Sequence, residues 1–244
     1  MIGRLVQLQR DGGRGVVLTV IEGEGAGTKL LVVEGGETVG DGPPELAPHA
    51  EELIRGAANT TLELEGRTVF AEVYGPPPRL FVYGAVDTAE ALAAAAKLLG
   101  WSTVVADARA KFATRERMPS ADELIVAWPE EAFSQVAVDH ATAVVILTHD
   151  DKFDLPALEL ALASDAFYVG LIGGRRNQER KRERLREGGV QNDAIERIAG
   201  PCGLDLGAES PPEVALSILA EALATRNRRS GGPLRERRER AHAG

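Results

Sequence analysis

The chain has 244 residues, 44% of them apolar, 27% charged and 5% aromatic, with a net charge of −9. That length suits two unequal domains or one large α/β domain. No apolar run approaches the roughly 20 residues that span a bilayer, and "MIGRLVQLQRDGG" lacks the apolar core and cleavage site of a signal peptide, so a cytoplasmic protein with no membrane contact is expected. The single cysteine, Cys202, excludes an internal disulfide and fits a reducing compartment. The acidic body argues against a nucleic-acid partner.

Residues 1–75 read as a small α+β domain. "GVVLTVIEG" and "TKLLVVEGG" are short apolar runs separated by glycine. "PPELAPHAEELIRGA" has helical spacing, with Pro44 near its start and Gly56 near its end. "TTLELEGRTVFAEVY" alternates and reads as a hairpin about Gly66-Arg67. Residues 76–79 then form a stiff proline-rich linker, because Pro76 to Pro78 continue neither sheet nor helix.

The rhythm changes over residues 80–226. "RLFVYG", "STVVAD", "DELIVAW", "TAVVILT" and "FYVGLIG" are apolar strands. Between and after them lie helical patterns: "DTAEALAAAAKLLG", "EEAFSQVA", "LPALELALAS", "GGRRNQERKRERLREGG" and "PPEVALSILAEALATRN". In the first helix Asp87 and Glu90 have capping-box spacing, which makes Asp87 the expected N-cap. Alternating strands and helices predict an α/β fold: a Rossmann-like, doubly wound, mostly parallel sheet covered on both faces. Residues 227–244 hold six Arg and two Glu and read as a basic, disordered tail.

Ligands of open α/β sheets bind beyond the carboxyl ends of the strands. The candidates are therefore Gly84 after the first strand, Asp107 and Arg109 after the second, Thr148, His149 and Asp150 after a middle one, and Gly173, Arg175 and Arg176 after a later one. The plainer reading of Thr148 to Asp150 is that they cap the next helix. Gly84 begins a damaged dinucleotide fingerprint: Val86 replaces the central glycine, and Asp87 and Glu90 would repel a phosphate at the helix start. Asp107 lies 23 residues on, near the spacing of a ribose-binding acid. Arg175 and Arg176 follow a glycine pair at a helix start and suit a bidentate grip on phosphate. The further cations from Arg180 to Arg186 read as a solvated face balanced by Glu179, Glu183 and Glu187. No tight zinc spacing and no G-x-S-x-G elbow occur, so neither a metal site nor a catalytic set is assigned.

Several motifs in order resemble one family. "RLFVYGAVDTAEALAAAAKLLGWSTVVADARAKFATRERMPSADELIV", "TAVVILTHDDKFDLPALELAL", "YVGLIGGRRNQERKRERL" and "GPCGLDLGAESPPEVALSILAE" are similar to the C-terminal domain of the XdhC/CoxI family, across about residues 79 to 226. The resemblance implies a non-catalytic accessory chaperone for xanthine dehydrogenase- or carbon monoxide dehydrogenase-type hydroxylases. It would bind molybdenum cofactor as cargo, as molybdopterin or its cytidine dinucleotide, and assist its maturation and insertion. Implied partners are a hydroxylase subunit, cofactor-biosynthesis or sulfuration proteins, and a second copy in a homodimer. Gly203 and Asp205, in "PCGLDLG", are implied members of a loop closing the site. The first domain departs from the family: "EGEGAGTKLLV" and "VGDGPPEL" lack the P-R pair and the cysteine carried by many members. An NAD(P)-dependent oxidoreductase and a scaffold that has lost its cofactor are the alternatives.

Overall fold

The computed structural model describes residues 1–56 and 59–236. Ile2–Arg10 (α1) opens the chain, an element that the sequence reading does not include. Gly15–Glu22 (β1), Lys29–Val33 (β2) and Thr38–Gly40 (β3) follow. The single helix expected from Pro44 is in fact a 3-10 helix, Pro44–His49, continued by Ala50–Gly56 (α2). Pro48 lies at the change, where its ring and missing N–H disrupt an α-helical turn. Thr60–Leu64 (β4) and Arg67–Tyr74 (β5) form the expected hairpin, but its two-residue turn is Glu65-Gly66, one residue earlier than read. The five strands make an antiparallel sheet in the order β3-β2-β1-β5-β4. Leu46, Ala50 and Ile54 pack with Val16, Leu18 and Val69 in one apolar cluster, and Leu8 of α1 packs with Val17 and Leu31 in another.

Contacts divide the chain into Met1–Pro76 with the segment from Gly232, and Pro77–Gly231. In the second unit the elements are Arg79–Tyr83 (β6), Asp87–Leu98 (α3), Ser102–Ala106 (β7), Glu123–Ile125 (β8), Pro129–Gln135 (α4) and Thr142–Ile146 (β9). Asp151–Ala163 (α5), Tyr168–Leu171 (β10), Arg175–Glu187 (α6), Asn192–Glu196 (α7), Ile198–Ala199 (β11) and Pro211–Arg226 (α8) complete it. All six strands are parallel, in the order β11-β10-β9-β6-β7-β8. Counted within the unit, that is 6-5-4-1-2-3, the doubly wound nucleotide-binding order.

Helices cover both faces, so the central strands are apolar throughout rather than alternating. Every residue of β9 and β10 is buried. Phe81, Val144 and Ile146 pack with Leu158 of α5 and Leu185 of α6; Leu80, Val82 and Val145 pack with Leu92 of α3 and Ile218 of α8. Strand order reverses between β6 and β9, the switch point where such sheets open a ligand crevice. Leu234–Glu236, within the segment read as a disordered tail, forms a single 3-10 turn; the last residues of that tail, 237–244, lie outside the described residues.

Candidate functional site

Gly84 leaves β6 at φ +117, a conformation that favours glycine. A side chain there would also start 3.0 Å from the backbone of Leu147 and Thr148. The glycine thus lets the loops after β6 and β9 touch across the switch point. It is followed by α3, whose N-cap is Val86 and not Asp87, correcting the sequence reading. Asp87 lies just inside the helix and pairs with Arg117 at 3.1 Å, while Glu90 accepts from the Ser120 N–H at 3.2 Å. These tertiary partners displace the local capping box, yet both carboxylates still occupy the first turn of α3.

Asp107 follows β7 and is fully buried. Its Oδ1 accepts from the backbone N–H and the Nε–H of Arg109, each at 2.9 Å. Its Oδ2 accepts from Ala85 N–H at 2.9 Å and from Arg109 Nη2 at 2.8 Å. A carboxylate has about four acceptor positions, so these four bonds leave none for a ribose hydroxyl. Burial raises the Asp107 pKa, but the hydrogen bonds from Arg109 and Ala85 outweigh it and hold the carboxyl below its ordinary value. The same pairing raises Arg109 above its ordinary value. Arg109 lies over the ring of Phe112, 4.3 Å from its centroid.

After β9, Thr148 donates its hydroxyl to Asp154, and the buried Asp154 carboxylate also receives Lys181 from α6. Asp150 is the N-cap of α5, accepting from the Lys152 N–H at 3.2 Å. Between them His149 is exposed and held at φ +60, where a non-glycine residue costs about 1–2 kcal/mol. Its Nδ1 lies 3.9 Å from where a Cβ on Gly173 would stand, so the loops after β9 and β10 meet at the histidine. Sequence reasoning placed residues 180–186 on a solvated face, and the structure corrects this. Lys181 is fully buried, Leu185 is buried, and Arg182 donates to the carbonyls of Ile195 and Ile198 at 2.7 and 2.6 Å. The acids that answer this helix lie on α5: Asp151 meets Arg184 at 2.8 Å and Arg180 at 3.2 Å.

At the start of α6, Gln178 donates to the carbonyls of Leu171, Ile172 and Gly173 at 3.0, 3.1 and 3.2 Å. It pins the loop from which the helix emerges. Gly174, Arg175, Arg176, Asn177 and Arg180 line an open concavity of about 740 Å³. Arg175 and Arg176 are exposed and have no carboxylate partner among the described residues. The first turn of α6 contains no acid, whereas those of α3, α4, α5 and α8 do. The concavity does not include Gly84, Asp107, Arg109 or Thr148 to Asp150.

Gly203 follows Cys202, whose N–H donates to the Leu171 carbonyl at the end of β10 at 3.1 Å. The φ of Gly203 is +110, a Cβ would fall 2.3 Å from Ser217 Oγ, and its N–H donates to Glu221 at 2.7 Å. Asp205 is exposed. Cys202 is half-buried against the core, and burial, with Glu221 beside it, pushes its thiol up to about 12. Among the described residues no group of three or more His, Cys, Asp or Glu side chains is arranged to hold a metal, and no helix is long and apolar enough to cross a membrane.

A doubly wound sheet with contacting loops at its switch point defines a Rossmann domain. Residues 80–222 match the model of the XdhC Rossmann domain, and the chain belongs to that family. It is 34% identical over 167 residues to the uncharacterized protein YqeB of Escherichia coli, covering 68% of this chain and 30% of that one. It is 32% identical over 160 residues to a probable xanthine dehydrogenase subunit of Bacillus subtilis, covering 66% and 46%. It is 29% identical over 153 residues to the molybdenum cofactor insertion chaperone PaoD of Escherichia coli, covering 63% and 42%. The alignments thus span less than half the length of each of these relatives. A crystal structure described as a xanthine dehydrogenase from Bacillus halodurans superposes with a TM-score of 0.68 at 24% identity, over 91% of this chain and 65% of that one, and shows the same fold.

Proposed function

We propose that this chain is an accessory protein of a molybdenum hydroxylase and that its Rossmann unit holds molybdenum cofactor as cargo. The observation that carries the reading is the guanidinium pair, Arg175 and Arg176, without a carboxylate partner among the described residues and set in an open concavity at a helix start without its own acids. Two guanidiniums and a helix N-terminus together suit the phosphate of such a ligand. The residues fit that phosphate end of the cargo, and among the described residues no side-chain cluster is offered to its metal. His149 and Gly173, on the two loops beside α6, would border the ligand; Gly203 and Asp205 would form the neighbouring wall. Gly84 and Asp107 act as positioning residues, one joining the loops and the other fixing Arg109. The name of PaoD supports the accessory role, and that of the Bacillus subtilis relative supports a link to a xanthine dehydrogenase. An NAD(P) oxidoreductase fits less well, because Asp87 and Glu90 fill the first turn of α3 and Asp107 has no acceptor left for a ribose.

The test is retention of cofactor. Purified protein is mixed with molybdenum cofactor released from a donor enzyme, desalted, and assayed for bound pterin by the fluorescence of its oxidised form. Arg175→Ala combined with Arg176→Ala should weaken retention at least about tenfold, since hydrogen bonds to charged groups contribute about 1.5–3 kcal/mol each. Equal retention by wild type and the double variant removes the arginines from the account.

A further inference from the structure

The strand ends carry a second cluster that the phosphate grip does not use. Phe153, in the first turn of α5, is 2% exposed. The indole of Trp128, just after β8, packs on it with centroids 5.0 Å apart and planes at 53°. The Arg109 guanidinium lies 5.6 Å from the same ring, and Lys152 Nζ lies 4.6 Å from it. One buried ring therefore carries an indole and two cations.

Both ends of this cluster are held in place. Asp107 fixes Arg109 through Nε and Nη2, leaving Nη1 without a partner among the described residues. Tyr83 donates to the carbonyl of Ala127 at 3.0 Å, and the Trp128 carbonyl accepts from Ala132 N–H at 2.8 Å. Yet Trp128 remains 53% exposed, while the chain's other tryptophan, Trp101, is 3% exposed. A lone exposed apolar side chain needs no explanation. This one differs in being a rigid aromatic surface at the carboxyl end of a parallel strand, packed on the same phenylalanine ring as a cation with a donor to spare. A flat apolar face with adjacent N–H donors is complementary to a planar nitrogen heterocycle, which stacks on the ring and accepts at its edge.

We propose that Trp128 and Arg109 receive the planar heterocycle of the ligand, a pterin or a nucleobase, Trp128 by stacking and Arg109 by hydrogen bonding to an edge acceptor. The proposal rests on the reading that the Rossmann unit binds a phosphate-bearing heterocyclic cargo.

Phosphate-free rings separate the two ideas. Pterin-6-carboxylate, cytidine and adenosine are titrated by calorimetry into the full-length wild type, Trp128→Ala, Trp128→Phe and the Arg175→Ala/Arg176→Ala variant, each checked for unchanged urea stability. At least one ring should bind wild type. Trp128→Phe should stay within about threefold of it, and Trp128→Ala should bind about tenfold more weakly, as expected for loss of one aromatic stack. The arginine double variant should bind the rings as wild type does. Preference for the pterin or for a nucleoside identifies which ring the site takes. Absence of binding by all three rings, equal binding by Trp128→Ala and wild type, or equal weakness of the Phe and Ala variants overturns the proposal. If cofactor retention falls in the arginine variant while Trp128→Ala binds the rings normally, the ring site is wrong and the phosphate grip stands.

Discussion

Replacing Lys181 by Met leaves Asp154 charged, fully buried and without its cation. Met keeps most of the apolar stem of Lys, so the change tests charge rather than volume. Asp151 also lies 3.7 Å from Lys181, but it is partly exposed and retains Arg180 and Arg184. The loss therefore falls on Asp154 alone. Removing one partner of a buried pair costs about 3–5 kcal/mol, because the other charge stays in a low-dielectric interior. Both tryptophans, Trp101 and Trp128, lie in the Pro77–Gly231 unit, so their fluorescence during urea unfolding reports on that unit. With a slope of about 2 kcal/mol per molar urea, the midpoint should fall by about 1.5–2.5 M. Adding Asp154→Asn should restore much of the loss, since an amide needs no counter-charge and still accepts from Thr148. A fall of less than about 0.5 M, or a double variant less stable than Lys181→Met, would refute the reasoning that this pair is ionised and dry.

Asp107→Asn should destabilise the same unit by about 2–4 kcal/mol, because it removes the charge that Arg109 grips and turns one acceptor into a donor. Asp107 is held below its ordinary pKa, so its stabilisation is complete above the unfolded value of about 4 and lost as pH falls through the lower folded value. Urea midpoints between pH 7 and 3 should therefore fall more steeply for wild type than for Asp107→Asn, and parallel curves would count against this. Cys202, with its thiol pushed up to about 12 by burial and Glu221, should resist iodoacetamide at pH 8 in the folded chain and react on unfolding. Mass spectrometry reads the adduct, and prompt native labelling contradicts an inert thiol.

The Rossmann sheet was legible because burial on both faces demands unbroken apolar runs. "TAVVI" and "RLFVY" can hardly be read otherwise, and alternation of such runs with helical patterns implies parallel strands. What escaped lacks that pressure. In α1 only Leu8 is buried, while Ile2 and Val6 are exposed, so its apolar spacing does not report a core face. β11 has two residues and α7 five, too few to show a period. The Asp87–Glu90 box misled for a different reason. A cap is a local preference of about 1 kcal/mol, and here Arg117 and Ser120, some 30 residues away, supply partners that the local spacing cannot foretell.

That the candidate residues lie at one edge of the sheet was legible for the same topological reason, since residues that follow parallel strands collect there. The work of each side chain was not, because that depends on partners brought from elsewhere. Asp107 has the spacing of a ribose ligand, yet Arg109 and Ala85 saturate it. The cation run in α6 hid a signal that could have been read. The only apolar side chain in "RRNQERKRERLRE" is Leu185, so a helix packed on this sheet must bury polar residues along with it. Gln178 and Lys181 lie seven and four residues before it, on the same helical stripe. A buried lysine requires a buried acid, and Asp154, one turn into the helix after "TAVVILTHD", was the available candidate. Removing that stripe from the run leaves Arg176 on the far side of the helix. The same periodicity that buries Lys181 therefore separates the structural cation from one that lines the open concavity.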